Sequence, residues 1–102
     1  MPSVYDDAVI RRELAGRAHG ELRPQSGETI MTGLYGKLYL ASSVTNVHFH
    51  DVVVLGEINV WGQNVTGRIF TYHGCVVRVG NNTLTVTQCT AEQLRARVFG
   101  PQ

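Results

Sequence analysis

The chain has 102 residues, 43% of them hydrophobic, and a formal net charge of +1. This length supports one domain with a single modest core, and a charge so near zero argues against a surface that attracts nucleic acid as a whole, so any RNA contact must be local. The sequence has no run of about 18 apolar residues that could span a bilayer and no basic-then-apolar leader, so we expect an intracellular protein of the nucleus or cytoplasm.

The first predicted element is an amphipathic helix over residues 3–18. Val9, Ile10 and Leu14 fall at helical spacing, and two aspartates near the start suit the positive end of a helix dipole. Residues 22–27 follow as a loop, because proline and glycine interrupt them.

The next predicted elements are two strands joined as a tight hairpin. Residues 28–31 and Leu34–Leu40 are separated by a Thr-Gly turn, and the second strand alternates apolar and polar residues. Gly36 interrupts its apolar face, which indicates a sharp bend. Tyr35 and Tyr39 lie on the opposite face, where we expect the N-terminal helix to pack.

The rest of the domain is predicted to consist of short strands separated by glycines. Residues 46–55 begin with alternation and end as a continuous apolar run, and later glycines recur at intervals of about five to seven residues. Between them lie four candidate strands, at residues 58–61, 68–72, 75–79 and 84–88. Such a pattern favours a closed barrel, in which Cys75 and Cys89, which lack CxxC spacing, are small core hydrophobes.

The last predicted element is a short helix over residues 90–99. Ala91, Leu94 and Val98 share one face, Thr90 is placed to cap the N-terminus, and Gly-Pro-Gln ends the helix. We therefore expect a mainly β protein. Its predicted parts are an N-terminal helix and loop (1–27), a small, strongly bent five-stranded β-barrel (28–89) and a C-terminal tail or short helix (90–102).

The first half of the predicted barrel carries a motif that resembles the Sm and LSm family. Gly36 and Leu38 form Gly-x-Leu, Asn46 follows ten positions after the glycine, and an apolar residue, Phe49, comes three later. The resemblance implies an Sm-like barrel that acts in ribonucleoproteins of the snRNP type and in mRNA processing, without enzymatic activity or a cofactor.

The resemblance also implies where RNA would bind. In family members an asparagine of the first motif hydrogen-bonds a base edge, while a flat side chain and an arginine of the second motif stack on the base. Here the second motif fits two registers, at residues 72–77 and 79–84, and neither supplies the arginine. We therefore expect weak or assembly-dependent RNA contact. The candidate RNA-binding residues are Asn46, Val44, His73, Gly74, Asn81 and Asn82.

Sm-type barrels associate by pairing the edge of one subunit with the edge of the next. The predicted partner edge is apolar, β-branched and free of lysine, so it lacks the usual protection of an exposed strand. Its residues are Arg68, Ile69, Phe70, Tyr72, Val76, Val77 and Val79. The implied partners are other Sm or LSm proteins in a hetero-oligomer or homo-oligomer. The likeness is divided between Gemin-type subunits of the SMN complex and the LSm subunit of the histone pre-mRNA-processing ribonucleoprotein.

Other chemistries have less support in the sequence. His48 and His50 share one strand face, but no further ligand is placed beside them, so we expect exposed or hydrogen-bonded side chains and no metal. No nucleophile-histidine-acid order or carboxylate pair indicates catalysis. The alternative function is a monomeric OB-type module that binds single-stranded nucleic acid or oligosaccharide, with Tyr35, Lys37 and Tyr39 as a stacking platform.

Overall fold

All of the strand pairings in the structure are parallel, and successive strands form the turns of a β-solenoid. The computed structural model describes residues 7–100. Its helices are α1 (Asp7–Arg17) and α2 (Ala91–Phe99). Its strands are β1 (His19–Leu22), β2 (Thr29–Ile30), β3 (Leu34–Leu40), β4 (Thr45–Val54), β5 (Ile58–Val60), β6 (Gln63–Tyr72), β7 (Val77–Arg78) and β8 (Thr83–Cys89). Neither helix in this range is long and apolar enough to cross a membrane.

The strand pairs fall into three stacks, one for each side of the solenoid. The first stack runs from β1 through β3 and β5 to β7, and the second from β2 through β4 and β6 to β8. The third consists of the start of β3 and the later parts of β4, β6 and β8. Equivalent positions are 16 to 20 residues apart, as in the series Leu22, Leu38, Ile58 and Val77. The described chain therefore makes four successive turns.

The interior of the solenoid is a column of apolar side chains contributed by successive turns. Leu38 lies against Ile58, Val47 lies against Val65, and none of these four is more than 1% exposed. Phe49 fills the same interior and is also 1% exposed. Complete burial of such a side chain contributes about 1.5–3 kcal/mol, so this column is the main apolar source of stability.

Two corners of the solenoid depend on left-handed backbone. Gly27, Asn46 and Asn64 form one corner on three successive turns, with φ angles of 84°, 61° and 58°. Asp51, at φ 51°, and Gly67, at φ 109°, turn the chain at the next corner, where the register between β4 and β6 shifts. Glycine, asparagine and aspartate are the residues that most readily adopt this conformation, so the sequence places them where the chain turns.

The outer side of the third stack is covered by the two helices. Val53, Phe70 and Tyr72 belong to a second apolar cluster, on the helix side of this stack, and are at most 4% exposed. Ile10 and Leu14, four residues apart on α1, are fully buried in the same cluster. One side of the solenoid therefore has apolar side chains on both of its faces.

The C-terminal helix confirms the sequence prediction in detail. The hydroxyl of Thr90 accepts a hydrogen bond from the backbone N–H of Gln93 at 3.1 Å, and the Gln93 side chain accepts one from the backbone N–H of Thr90 at 2.9 Å. This reciprocal capping box fixes the start of α2. The two helices are joined by an ion pair in which Arg95 Nε lies 3.2 Å from Glu13 Oε1.

The N-terminal helix is confirmed over Asp7–Arg17, while its first predicted residues, 3–6, lie outside the described range. Val9 does not join the buried face, because it is 40% exposed.

The predicted five-stranded Sm-like barrel is wrong, and the chain does not form an OB-type barrel. In a small barrel of that kind most neighbouring strands run antiparallel, whereas each strand here pairs in parallel with strands one turn away. Alternation of apolar and polar residues identifies a strand in either architecture, but it does not reveal the direction of its neighbour. Alternation therefore predicts the strand content but not the pairing.

Two local predictions fail for the same reason. The proposed hairpin around Thr32 is wrong, because β2 pairs with β4 and does not pair with β3. The N-terminal helix packs over Leu34 and not over the tyrosines. Tyr35 instead packs against the solenoid interior, and Tyr39 lies beside Arg23, whose guanidinium carbon is 5.0 Å from the centre of the ring.

Replacing Gly67 with alanine is expected to lower the free energy of unfolding by about 3 kcal/mol. A Cβ there would lie 2.0 Å from the carbonyl oxygen of Phe49, and φ is unfavourable for alanine, at 109°. Gly27→Ala is the matched control, since its φ is 84° but its Cβ would meet no atom within 4 Å. Gly27→Ala should lower the free energy of unfolding by only about 1 kcal/mol. Urea unfolding of the two variants measures the difference, and equal losses would contradict the tight packing of the corner.

Replacing Tyr72 with phenylalanine is expected to weaken the dependence of stability on alkaline pH. The Tyr72 hydroxyl is buried without a hydrogen-bond partner among the described residues. Burial raises the pKa of Tyr72 above its ordinary value of 10.0, although Arg11 opposes the shift. The unfolded chain therefore ionises first, so the folded protein loses stability as the pH rises above about 10.

The test is urea unfolding of the wild type and of Tyr72→Phe between neutral pH and pH 11. The variant should equal or exceed the wild type at neutral pH, by up to about 1 kcal/mol, and should lose less stability on alkaline titration. Tyr39→Phe, at a partly exposed ring, is the control and should follow the wild type. A steeper alkaline loss in Tyr72→Phe than in the wild type would contradict this account.

Candidate functional site

Both ends of the solenoid consist of strands that are paired on one side only. At the N-terminal end β1 pairs with β3 and β2 pairs with β4, and at the C-terminal end β7 pairs with β5 and β8 pairs with β6. No further strand of residues 7–100 covers these four strands. Each end therefore presents main-chain N–H and C=O groups that can pair with another parallel strand.

The C-terminal end also leaves part of the apolar interior uncovered. Val77, Val79 and Val86 belong to the last turn and are only partly buried against the interior cluster. Ile58 and Val60, the equivalents of the first two on the preceding turn, are at most 2% exposed. The last turn thus places apolar side chains at the same interior positions as the preceding turn, but no further turn of the described chain covers them.

The N-terminal end has apolar residues at corresponding positions. Leu22 begins the interior series that ends at Val77, and Ile30 begins the series that ends at Leu84. Leu22 is partly buried and Ile30 is 8% exposed. A second copy placed one turn further along the axis, in the same register, would bring Leu22 onto Val77 and Ile30 onto Leu84.

The two ends differ in charge. The first turn contains Glu21, Arg23 and Glu28, so its carboxylates outnumber its guanidinium group. The last turn contains Arg78, and no aspartate or glutamate occurs between residues 58 and 91. The side chains counted here give the first turn a net negative charge and the last turn a net positive charge.

The predicted partner edge is divided by the structure between a central strand and a terminal strand. In β6 lie Arg68, Ile69, Phe70 and Tyr72. This strand pairs with β4 on one side and β8 on the other, so the prediction of a free edge there is corrected. Val77 lies in β7, which has a free side within the described chain, and Val76 and Val79 flank it.

Asn46, the residue predicted to contact an RNA base, has a structural position at a corner. Its left-handed backbone, at φ 61°, continues the series formed by Gly27 and Asn64 on the adjacent turns. Val44, predicted at the position of the stacking side chain, packs against the interior cluster of the solenoid. The left-handed backbone of this corner is therefore enough to explain the asparagine, and no RNA contact is needed to account for it.

The other predicted RNA-facing residues lie at two different corners. His73 and Gly74 are exposed in the turn after β6, which leads from the third stack back to the first. Asn81 and Asn82 lie in the turn between β7 and β8, at the same corner as Asn46 but two turns away. The amide of Asn82 is engaged in three hydrogen bonds to the backbone. The six residues therefore do not form one surface.

The side chains considered for metal binding have ordinary environments. His48 and His50 are both exposed, and Nδ1 of His48 lies 2.9 Å from the hydroxyl of Thr66, in agreement with the predicted exposed or hydrogen-bonded pair. Cys75 and Cys89 are free thiols that pack in or against the apolar cluster beneath the helices, as predicted. Within residues 7–100, no group of three or more histidine, cysteine, aspartate or glutamate residues could hold a metal ion.

The sequence does contain a signal for the solenoid, and it lies in the spacing of one corner. Gly27, Asn46, Asn64 and Asn81 follow one another at intervals of 19, 18 and 17 residues. A turn-forming residue that recurs with a nearly constant period of this length is typical of a solenoid. The open ends then follow, because the first and last turns of such a repeat have no neighbour within the chain.

Comparison with known proteins finds no family model that matches the sequence. No curated protein and no solved structure matches it with statistical significance. The function must therefore be inferred from the geometry of the chain itself.

Replacing Asn46 with alanine is expected to lower the free energy of unfolding by about 1 kcal/mol, while Asn46→Gly should leave it nearly unchanged. Alanine is disfavoured at φ 61°, whereas glycine adopts this angle freely. Urea unfolding measures both values, with Gln63→Ala, at an exposed side chain nearby, as the control. A greater loss in Asn46→Gly than in Asn46→Ala would show that the side chain, and not the backbone angle, accounts for the asparagine.

Proposed function

We propose that this protein is a structural module whose copies stack head to tail into a continuous parallel β-solenoid. The observation that carries the proposal is that the two ends are unpaired and have corresponding apolar positions. The partner is a second copy of the chain, and the product is a homo-oligomer that can grow at both ends.

The direction of the strands supports stacking of unlike ends. Because the strands of each stack are parallel, β1 of a second copy can pair with β7 of the first copy without reversing the chain direction. Such a contact uses different surfaces on the two copies, so it repeats instead of closing around a two-fold axis. The expected product is a linear series of molecules.

Burial supports the same arrangement. In the continued register the partly buried side chains of Leu22 and Val77 would cover each other, as Leu38 and Ile58 do within one chain. In the same register Arg78 of one copy would lie opposite Arg23 of the other, whose guanidinium is paired with Glu21. In repeat proteins polar terminal repeats normally keep neighbouring molecules apart, and here the last turn has an apolar interior instead.

The ribonucleoprotein role predicted from the sequence depended on an Sm-like barrel, which this chain does not form. We retain from it only association through strand edges, with a copy of the same chain in place of an Sm-type partner. RNA and the spliceosomal or mRNA-processing partners have no part in the present proposal.

The test uses two variants that each block one end of the solenoid. Leu22→Lys places a charge at the N-terminal interior and leaves the C-terminal end intact, while Val79→Lys does the reverse. Burial of an unpaired charge is strongly unfavourable, so each variant alone should remain monomeric. An equimolar mixture should form a heterodimer and nothing larger, because one intact end of each kind remains. Sedimentation velocity measures all of these species, and electron microscopy shows filaments of the wild type.

Thermal unfolding and circular dichroism establish that both variants are folded, as expected for positions that are already partly exposed. Ser43→Lys, at an exposed corner away from both ends, is the control and should assemble like the wild type. A wild type that stays monomeric at millimolar concentration would contradict the proposal. Dimers formed by a single end-blocked variant would indicate a two-fold contact in place of head-to-tail stacking.

A further inference from the structure

A notch lies on the outer corner between the first and second stacks, near the C-terminal end. The chain crosses this corner in two residues, Trp61 and Gly62, between β5 and β6. On the preceding turn the same crossing, between the paired positions Leu40 and Thr45, takes four residues, 41–44. On the last turn it is shorter again, since four residues separate Arg78 from Thr83 where six separate their partners Asn59 and Thr66. A recess of about 490 Å³ lies at this corner between the third and fourth turns. This volume falls within the range of about 300–1,000 Å³ that is common for small-molecule sites.

Two glycines shape the notch. One lies at a tight contact with the preceding turn, and the other lies beside the open space of the recess. Gly62 packs directly against the preceding turn, since a Cβ there would lie 2.0 Å from the carbonyl oxygen of Val44. Gly80 has no side chain to fill the space on the following turn, and nothing lies within 4 Å of the Cβ position there. The recess is therefore bounded on one side by the chain and is accessible from solvent.

The floor of the notch is rigid because Asn82 ties the last turn to the turn before it. Its Nδ2 donates hydrogen bonds to the carbonyl oxygens of Gly62 at 3.0 Å and Val79 at 2.8 Å. Its Oδ1 accepts a hydrogen bond from the backbone N–H of Val65 at 3.1 Å. Asn82 is therefore a positioning residue, and the recess is formed before any ligand arrives.

The notch combines one aromatic ring with several amides. The Trp61 side chain is 51% exposed and offers an apolar surface on which a ring can stack. Gln63, Asn64 and Asn81 are exposed around it, and among the described residues no side-chain hydrogen bond engages their amides. These three amides can donate and accept hydrogen bonds, as the hydroxyl groups of a bound ring would require.

Arg78 contributes a cation to the notch, and hydrogen bonds among neighbouring side chains hold its guanidinium group in place. The Nη1 group of Arg78 donates to Oδ1 of Asn59 at 3.2 Å, and Nδ2 of Asn59 donates to Glu57 at 3.1 Å. Arg78 has no ion pair within the described chain, and its remaining N–H groups are available to a ligand. None of the described side chains that line the notch is a carboxylate.

From these features we propose that the notch binds an acidic sugar, a pyranose ring that carries a carboxylate, as in a uronic acid. The ring stacks on Trp61, its hydroxyl groups bond to the amides, and its carboxylate is bound by Arg78. A guanidinium and a carboxylate form strong, charge-assisted hydrogen bonds, so this contact sets the preference for acidic over neutral sugars.

The arrangement favours a saccharide over a nucleic acid. Single-stranded nucleic acid requires a positively charged groove that follows several phosphates, together with successive stacking rings. Here one cation and one aromatic ring line the notch among residues 7–100, and the net charge of the chain is only +1. Trp61 also lies on the outside of the solenoid, so the binding site does not depend on the assembly of copies.

The experiment uses Trp61 as its own reporter, because it is the one tryptophan of the sequence. The wild type is titrated with the dimer of galacturonic acid and with the neutral galactose dimer of the same linkage. Tryptophan fluorescence and calorimetry follow both titrations. The acidic dimer should bind with at least a tenfold lower Kd than the neutral dimer and should change the fluorescence of Trp61.

Two variants and one control separate the roles in the notch. Arg78→Gln should raise the Kd for the acidic dimer to that of the neutral dimer while the fluorescence response persists. Trp61→Ala, followed by calorimetry, should weaken binding of both sugars. Arg68→Gln is the control, because Arg68 is equally an exposed strand arginine but is paired with Asp51 at 3.0 Å in the second stack.

The proposal is overturned by any of three results in protein shown to be folded by circular dichroism. These are equal affinity of the wild type for the two dimers, an unchanged preference in Arg78→Gln, and no response to either sugar at millimolar concentration. Tighter binding of a short single-stranded oligonucleotide than of the acidic dimer would assign the notch to nucleic acid and would also overturn it. Blocking assembly with Leu22→Lys should leave sugar binding unchanged, so the two proposals can fail separately.

Discussion

The structure depends on the stacking of each backbone turn directly onto the turn before it. Main-chain hydrogen bonds between parallel strands require equivalent residues to meet at every level, and this is possible only if the corners keep their shape from turn to turn. Left-handed residues at Gly27, Asn46 and Asn64 supply that shape at one corner. Where a side chain would obstruct the contact, as at Gly62 and Gly67, the sequence has glycine. The apolar column inside the solenoid is then a consequence of this register, because alternate residues of every turn point to the same axis.

The helices add to this framework without closing it. They cover the outer side of the third stack, which explains why the apolar run at the end of β4 is buried throughout: Val52 and Val54 point inward and Val53 points toward the helices. The hydrophobic contact between helices and stack fixes them to the side of the solenoid. The contacts of α1 and α2 therefore leave the strand edges at the two ends available, and self-association is a natural use of a repeat whose terminal turns resemble its internal ones.

Both functional proposals arise where the repeat departs from regularity. At the ends, the departure is the missing neighbour of the first and last turns. At the notch, it is a corner that loses two residues from each turn to the next, where Trp61 is exposed and Arg78 has no carboxylate partner among the described residues. A regular solenoid face is flat and repetitive, and so offers few recesses, whereas a change in corner length creates one on an otherwise rigid surface. Binding to such a site would not require a change of conformation, because the backbone around it is held by the stacked turns.

The sequence by itself determined the local elements. The helical spacing of Ile10 and Leu14, the cap at Thr90 and the strand Leu34–Leu40 each depend on residues close together in the chain, and each appears in the structure. The predicted alternation within that strand is wrong at its start, because Leu34 faces the helices while Leu38 and Leu40 face the interior. Alternation left the direction and partner of every strand to the tertiary structure, because it is the same in a barrel and a solenoid. The predicted edge residue Val77 lies at a free edge only because β7 is in the last turn, and Arg68 lies at none because β6 is between two neighbours. The notch could not be foreseen either, since it depends on residues of two turns that meet only when the turns stack at a separation of 16 to 20 residues.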